Sequence, residues 1–350
     1  MKTYAILHNP GHNRVYFKSS RKLAQNELAL AGINNIREVE LGGLPYLIFD
    51  AEDQLNILLL SRLSFVYAIF EYNDKNGALL PIIKDPAYSF KSDDITTILK
   101  YNGKTNELFT RLMLNVAIFC GRFSFTESLS ILDPLCGKGT TLFEGLLNGH
   151  SVYGVEKDER IVHEAYTFLK KYLETAKIKH SSHQERQGMK GYTAKRYQIK
   201  LSTLANNTET SIISEFIAGD TRDVSQFFRK NSLHVIVGDL PYGVQHGSKH
   251  QENKGIKNQG NKNKKSTNVS FVESRNALPL LLEALPSWHK VLKPGGTIVL
   301  AWNLFLIQRD EMEQALEGAG FKLVPPIGDE SFVHRVDQAI MRDVIVGLKS

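Results

Sequence analysis

The sequence predicts an α/β fold built on a mostly parallel sheet and preceded by a small α+β unit. Three observations predict it. From Ser130 onward, short apolar runs alternate with longer amphipathic stretches, the pattern of repeated βα units whose sheet is covered on both faces. The first of those runs, Ser130-Ile131-Leu132-Asp133, opens directly into a glycine-rich turn. Residues 1–95 lack this alternation and read as short strands around two helices.

In the first unit, Thr3–His8 and Val15–Phe17 read as strands. Ser19-Ser20 can cap a helix over Arg21–Leu30 that Ala31-Gly32 ends. Ile36–Leu41 and Tyr46–Phe49 flank Gly42-Gly43 as strands, Leu55–Leu63 reads as helix, and Ser64–Tyr72 returns to strand. Asn73–Ser92 is rich in turn residues, which places a boundary there: an accessory unit over 1–95 and a second domain over 96–350. That domain begins with a helix over Glu107–Cys120, apolar at Leu108, Leu112, Leu114, Ala117 and Ile118. Strands follow at Ser130–Asp133, Ser151–Glu156, Glu215–Ala218, His234–Gly238 and Gly296–Asn303. Helices lie over Thr141–Leu147, Glu159–Ala176, Leu278–Val291 and Glu311–Gly318. Phe321–Val324 and Arg342–Leu348 can close an antiparallel pair.

Composition narrows the class. No run of about 18 apolar residues occurs without charge, so no membrane span is expected; Gln54–Tyr72 comes nearest, but Arg62 and Glu71 interrupt it. Met1–Thr3 leads into a strand-like run, so no secretory leader is expected, and the two cysteines, Cys120 and Cys136, suit a reducing cytoplasm and exclude a disulfide scaffold. Without Cys-x-x-Cys spacing, no metal site is expected. The net charge of +6 is unevenly placed. Lys177–Lys200 holds five Lys and two Arg against Glu185, and Lys249–Thr267 holds six Lys against Glu252. These segments carry +6 and +5, so the remainder of the chain is net −5. Both read as flexible arms suited to gripping the phosphates of a nucleic acid.

The turn Asp133-Pro134-Leu135-Cys136-Gly137-Lys138-Gly139-Thr140-Thr141 lets backbone approach a ligand and then opens a helix whose first amides face it. A dinucleotide site would need a third glycine, which is absent here. The acidic start, Asp133-Pro134, suits a cationic sulfonium better than a pyrophosphate. Glu156, 19 residues beyond Gly137, can accept both ribose hydroxyls of an adenosine, and Asp220 can accept from the adenine amino group. Cys136 reads as a small space-filling residue; Lys138 is open between a ligand carboxylate and solvent. Acids ending three successive strands therefore point to S-adenosylmethionine (SAM).

Asp239-Leu240-Pro241-Tyr242 leaves a fourth strand at the carboxyl edge, where ligands of open α/β sheets bind. An exocyclic amine on a nucleobase is a poor nucleophile, because its lone pair is delocalised into the ring. Asp239 and the Leu240 carbonyl can accept its two hydrogens, Pro241 stiffens the loop, and Tyr242 offers a face for stacking.

Together these residues resemble the THUMP-associated, Rossmann-like SAM-dependent RNA methyltransferases of the tRNA guanine-N2 type. The resemblance rests on Asp133–Thr141, Glu156, Asp220 and Asp239-Leu240-Pro241-Tyr242-Gly243, and spans roughly residues 100–350. Gly103–Asn115 is similar to the family's stretch over the SAM methionine, which implies a cofactor-binding role for Thr105. Leu240 stands where many members have a second proline, and the N-terminal unit does not plainly read as a THUMP domain. The resemblance implies a class I methyltransferase fold, SAM as cofactor, an RNA substrate and most specifically guanine N2 in tRNA. Two other readings remain open. One is a DNA amino-methyltransferase acting on adenine N6 or cytosine N4, although no segment reads as a DNA target-recognition domain. The other is a non-catalytic SAM-fold protein that binds RNA. His334-Arg335-Val336-Asp337 is open between a phosphate contact and a hairpin cap, and oligomeric state is not readable.

Overall fold

The computed structural model describes residues 2–10, 14–52, 55–83, 94–98, 104–205, 208–241, 277–325 and 332–350. Tyr242, Gly243 and the basic segment Lys249–Thr267 lie outside the described residues.

The N-terminal unit runs β1 (Lys2–His8), α1 (Arg14–Leu30), β2 (Arg37–Leu41), β3 (Leu44–Ala51), α2 (Ile57–Arg62), β4 (Val66–Asn73) and β5 (Ala78–Ile82). Its five strands form an antiparallel sheet in the order β2-β3-β1-β4-β5, so the first four follow a split βαββαβ plan. Strand alternation puts Tyr4, Ile6, Leu47, Phe49 and Ile69 on one buried face, packed with Leu23 and Leu28 of α1. One expectation fails here. Val15–Phe17 is not a strand, and Ser19-Ser20 is not a cap, because both lie inside α1. Ser20 is buried and hydrogen-bonds His8 Nε2 on β1 at 2.8 Å, so its hydroxyl serves a tertiary contact.

The larger domain enters through α3 (Ile95–Ile98) and α4 (Glu107–Cys120). It continues with β6 (Ser130–Asp133), α5 (Thr140–Leu147), β7 (Ser151–Glu156), α6 (Glu159–Thr175), β8 (His180–Met189), β9 (Tyr192–Ala205) and β10 (Thr208–Ala218). A 3-10 turn (Thr221–Asp223), α7 (Val224–Phe227), β11 (Leu233–Asp239), α8 (Leu278–Val291) and β12 (Leu292–Asn303) follow. The last elements are α9 (Arg309–Gly318), β13 (Lys322–Leu323), β14 (His334–Arg335) and β15 (Met341–Leu348). The sheet order is β13-β15-β12-β11-β6-β7-β10-β9-β8, with β14 beside β15. The five strands β12, β11, β6, β7 and β10 are mutually parallel; β15 and β9 pair antiparallel at either side. This is the Rossmann-like methyltransferase arrangement, with the chain reversing direction across the sheet between β6 and β11. No helix among the described residues is long and apolar enough to cross a membrane.

The segment Lys177–Lys200 is not a flexible arm. It forms most of the β8–β9 hairpin, registered from His180↔Leu201 to Met189↔Tyr192, which extends the central sheet beyond β10. Its composition looks like a loop because β8 is an outer strand whose side chains are mostly exposed. Ile199 and Leu201 of β9 anchor it beneath α6. Charged side chains on such an edge also discourage pairing with another chain.

Helix α4 joins the two units. Asn106 caps it, accepting from the amides of Leu108 and Phe109. Every residue from Phe109 to Ile118 is buried, as expected for a helix covered on all sides. Asn115 donates to Glu27 of α1 at 2.7 Å, and the Ser64 amide and hydroxyl supply further donors to that carboxylate. Burial raises the Glu27 carboxyl above its ordinary value. Arg111 of α4 pairs with Glu144 of α5 at 2.9 Å, where Glu144 is 0% exposed.

Candidate active site

The site is assembled at the carboxyl edge of β6, β7, β10 and β11. After β6 the chain turns through Gly137 and Gly139, whose φ values of +49° and +87° favour glycine. Gly139 is also the N-cap of α5, and a Cβ there would stand 3.0 Å from Phe216. Thr140 and Thr141 open α5 and are buried. Gly154, on β7, carries a second steric demand: a Cβ there would lie 2.6 Å from the Cys136 sulfur. Cys136 thus packs through its thiol against bare backbone, and burial, with the charges of Asp133 and Glu156, raises that thiol well above its usual range.

Asp133 is 4% exposed. Its Oδ1 accepts from the Leu135 amide at 3.0 Å, and the Thr141 hydroxyl also engages the carboxyl, so it braces the loop from behind. Pro134 follows it, and its ring lies 3.7 Å from where a Cβ on Gly238 would stand. Burial pushes the Asp133 carboxyl up to about 7, and the charges of Asp239 and Glu156 push in the same direction. The carboxylates that end β7 and β11 therefore both act on the one that ends β6. Glu156 ends β7, and its Oε1 accepts from the Asp158 amide at 3.0 Å.

Asp220 follows β10 beside Glu156, since Ala218 pairs with Glu156 and the Gly219 amide donates to the Glu156 carbonyl. Its carboxylate is held in a fork by Arg222, Nε to Oδ1 at 2.9 Å and Nη2 to Oδ2 at 2.6 Å, and this pairing lowers its pKa. An adenine amino group would share a carboxylate that Arg222 already holds. The Asp220 amide donates to Tyr192 Oη at 3.1 Å, and that hydroxyl donates to Asp223 at 2.9 Å. The tip of the β8–β9 hairpin is thereby tied to the third acidic corner. Lys138 pairs with Glu164 of α6 at 2.8 Å.

Asp239 ends β11, next to Ala301 of β12, and the Leu240 amide donates to the Ala301 carbonyl at 2.9 Å. Leu240 is buried and Pro241 exposed. The Thr105 hydroxyl donates to Asp239 Oδ2 at 2.7 Å. Thr105, expected beside the cofactor, is thus tied to the carboxylate that ends β11. Arg342, at the start of β15, reaches the same oxygen at 3.7 Å with a side chain only 5% exposed. Its guanidinium lies 4.5 Å from the Phe109 ring centroid, and His334 stacks obliquely on that ring at 4.8 Å. Burial, with the Arg342 charge, lowers His334 to about 3. It is therefore neutral at ordinary pH and buried, which removes it as a phosphate contact and makes it part of the β14–β15 hairpin's packing.

Arg342, Arg222 and Tyr192 were not singled out from sequence. The signals were faint: an arginine opening an otherwise apolar strand, an arginine two residues after an aspartate, and a tyrosine after a glycine turn.

Residues 115–301, just over half of the chain, match the family model of UPF0020, the RMKL-like methyltransferase domain. The chain belongs to this methyltransferase family. No curated protein sequence matches the chain. Among solved structures, TrmN from Thermus thermophilus is similar at 13% identity over 100% of both chains, with a TM-score of 0.45. A TehB-like SAM-dependent methyltransferase from Corynebacterium glutamicum covers 64% of this chain and 82% of its own at 16% identity and TM-score 0.35. The magnesium protoporphyrin IX methyltransferase of Synechocystis, solved with bound SAM, covers 73% and 90% at 11% identity and TM-score 0.37. These likenesses are remote, and the assignment rests on the family match and the strand order.

S-adenosylmethionine is the methyl donor of this RMKL-like domain. The residues present fit it: the Gly137–Gly139 turn leaves room for its backbone-side approach, and Asp133 is a buried acid whose ionised form a cationic sulfur would offset. Glu156 ends β7 at the same edge.

Proposed function

We propose that the protein methylates an exocyclic amine of a nucleobase in RNA, most specifically guanine N2 in tRNA. The observation that carries this reading is Asp239. It ends the strand beside the cofactor loop, within electrostatic reach of Asp133, and its carboxylate is oriented by the Thr105 hydroxyl. SAM supplies an electrophilic methyl on a cationic sulfur. Asp239 and the Leu240 carbonyl accept the hydrogens of the amine, which turns its lone pair out of conjugation and toward that methyl. The nitrogen forms its bond to the methyl carbon as the carbon–sulfur bond breaks and its electron pair returns to sulfur. Asp239 then takes the proton that the alkylated nitrogen sheds. No covalent enzyme intermediate is needed. A paired base must leave its stack to reach this edge, which favours unpaired or distorted RNA.

Support for RNA comes from charge. Lys177, Lys179, Arg186, Lys190 and Lys200 are exposed on the β8–β9 hairpin or at its base. Lys195 and Arg196 are instead committed to Glu159 and Glu215. Residues 1–95 form the accessory unit and 96–350 the methyltransferase domain in this reading, and Tyr242 is the stacking partner of the target base.

The test is incubation with radiolabelled SAM and, separately, unmodified tRNA, rRNA and DNA, followed by nucleoside analysis. Label in tRNA as N2-methylguanosine is expected, with Asp239→Ala abolishing transfer while SAM still binds. Label in DNA, label on adenine, or activity retained in Asp239→Ala overturns the proposal.

A further inference from the structure

We infer that Arg342 is the positioning residue of the reacting site, holding Asp239 in register with the substrate amine. The inference rests on the amine-methylation reading of Asp239 and names the device that makes that carboxylate usable.

A carboxylate that must accept hydrogens from a planar amine needs a fixed rotation about its Cβ–Cγ bond, and a carboxylate beside two others needs its charge balanced. Asp239 has both provided on one oxygen. Thr105 Oγ1 donates to Oδ2 at 2.7 Å, and Arg342 Nη2 stands 3.7 Å from the same atom. The two partners arrive from opposite ends of the domain, Thr105 just before α4 and Arg342 at the first turn of β15. Together they restrain Oδ2 from two sides, one by a hydrogen bond and one by charge.

Arg342 is itself held in place. Its backbone pairs with Asn303 on one side and His334 on the other, at the carboxyl edge of β12. Its guanidinium lies against the face of Phe109, a contact that favours arginine over lysine because a planar cation stacks on a ring. His334 packs the same ring and, being neutral, adds no competing charge. A buried cation is costly unless it is paired. Here it faces the one carboxylate to which the reaction assigns a task, within a site that also holds Asp133 and Glu156. Arg342 touches neither methyl donor nor amine in this assignment; it acts through Asp239.

The test uses the full chain with Arg342→Gln, Arg342→Lys, Asp239→Asn and the double variant Arg342→Gln/Asp239→Asn. In steady-state methylation, Arg342→Gln should lower kcat at least tenfold while KM for SAM and for RNA stays within twofold. Arg342→Lys should recover part of that loss. On the Asp239→Asn background the same change should cost less than twofold, because its target is already gone. A kcat within twofold of wild type for Arg342→Gln, or losses that simply multiply in the double variant, would sink the idea. If the wild-type protein methylates no nucleic acid, the functional reading fails, and thermal unfolding judges the pair alone. Asp239→Asn should then restore much of the Tm that Arg342→Gln loses, by removing the charge left behind, whereas additive losses overturn the pairing.

Discussion

Asp133 lies behind the glycine loop, and burial lifts its carboxyl to about 7, with Asp239 and Glu156 adding to the effect. Its folded pKa is above its unfolded value of 3.8. The stability it contributes is therefore full below about pH 4 and is lost as the pH rises through 7. Asp133→Asn should melt at higher temperature than wild type, with a larger gain at pH 8 than at pH 5, as differential scanning calorimetry would show. The same variant should bind SAM at least tenfold more weakly. Wild-type affinity for SAM should tighten between pH 6 and 8, because an ionised Asp133 favours a cationic ligand, and titration calorimetry should find that dependence flattened in Asp133→Asn. Both results together would mean that stability is given up at this residue for affinity.

At the scale of elements, two contacts decide whether the cofactor loop sits correctly. β7 must pass close under Cys136, and Gly154 permits it; Gly154→Ala forces a Cβ within 2.6 Å of the sulfur. Overpacking of this kind costs about 1–3 kcal/mol. Chemical denaturation should show that loss, and Cys136→Ala should recover part of it in the double variant. Helix α4 is pinned to α5 by Arg111 and Glu144, whose carboxylate is fully buried. Arg111→Ala strands a buried carboxylate, and breaking such a pair costs about 3–5 kcal/mol. The expected result is a protein that unfolds at markedly lower denaturant while Arg111→Ala/Glu144→Ala recovers stability.

At the scale of the molecule, the β8–β9 hairpin lengthens the sheet beyond β10, and Tyr192 ties its tip to Asp220 and Asp223. A basic surface is thereby attached to the same edge of the sheet as the acidic residues Glu156 and Asp220. Replacing Arg186, Lys190 and Lys200 with Glu should weaken RNA binding severalfold at low salt without changing SAM affinity. If all three meet phosphates, the slope of log affinity against log salt should become shallower by about 2, at roughly 0.7 per single-strand contact. Filter binding across a salt series reads this directly, and an unchanged slope would remove the hairpin from the RNA path.

The parallel domain was legible in the sequence because its signals are local. Strand and helix periods alternate from Ser130, glycine marks the turn after β6, and an acid ends β6, β7 and β11 and stands two residues after β10. Local chemistry also named the candidate residues, from Asp133 to Asp239. Tertiary structure alone decided what those residues touch. Thr105 stands 134 positions from Asp239 yet shares a hydrogen with it, and Arg342 meets the same oxygen only because β15 returns antiparallel along β12. The β8–β9 hairpin was hidden for a related reason. The polar outer strand β8 has no apolar period to display, and it is a strand through its pairing with β9, which in turn pairs with β10 and has an apolar footing under α6. Val15–Phe17 lies inside the 17-residue helix α1, and a short apolar run does not by itself distinguish strand from buried helix. Sequence spacing carries information along the chain, whereas charge balance, burial and steric fit depend on distances in space that only folding sets.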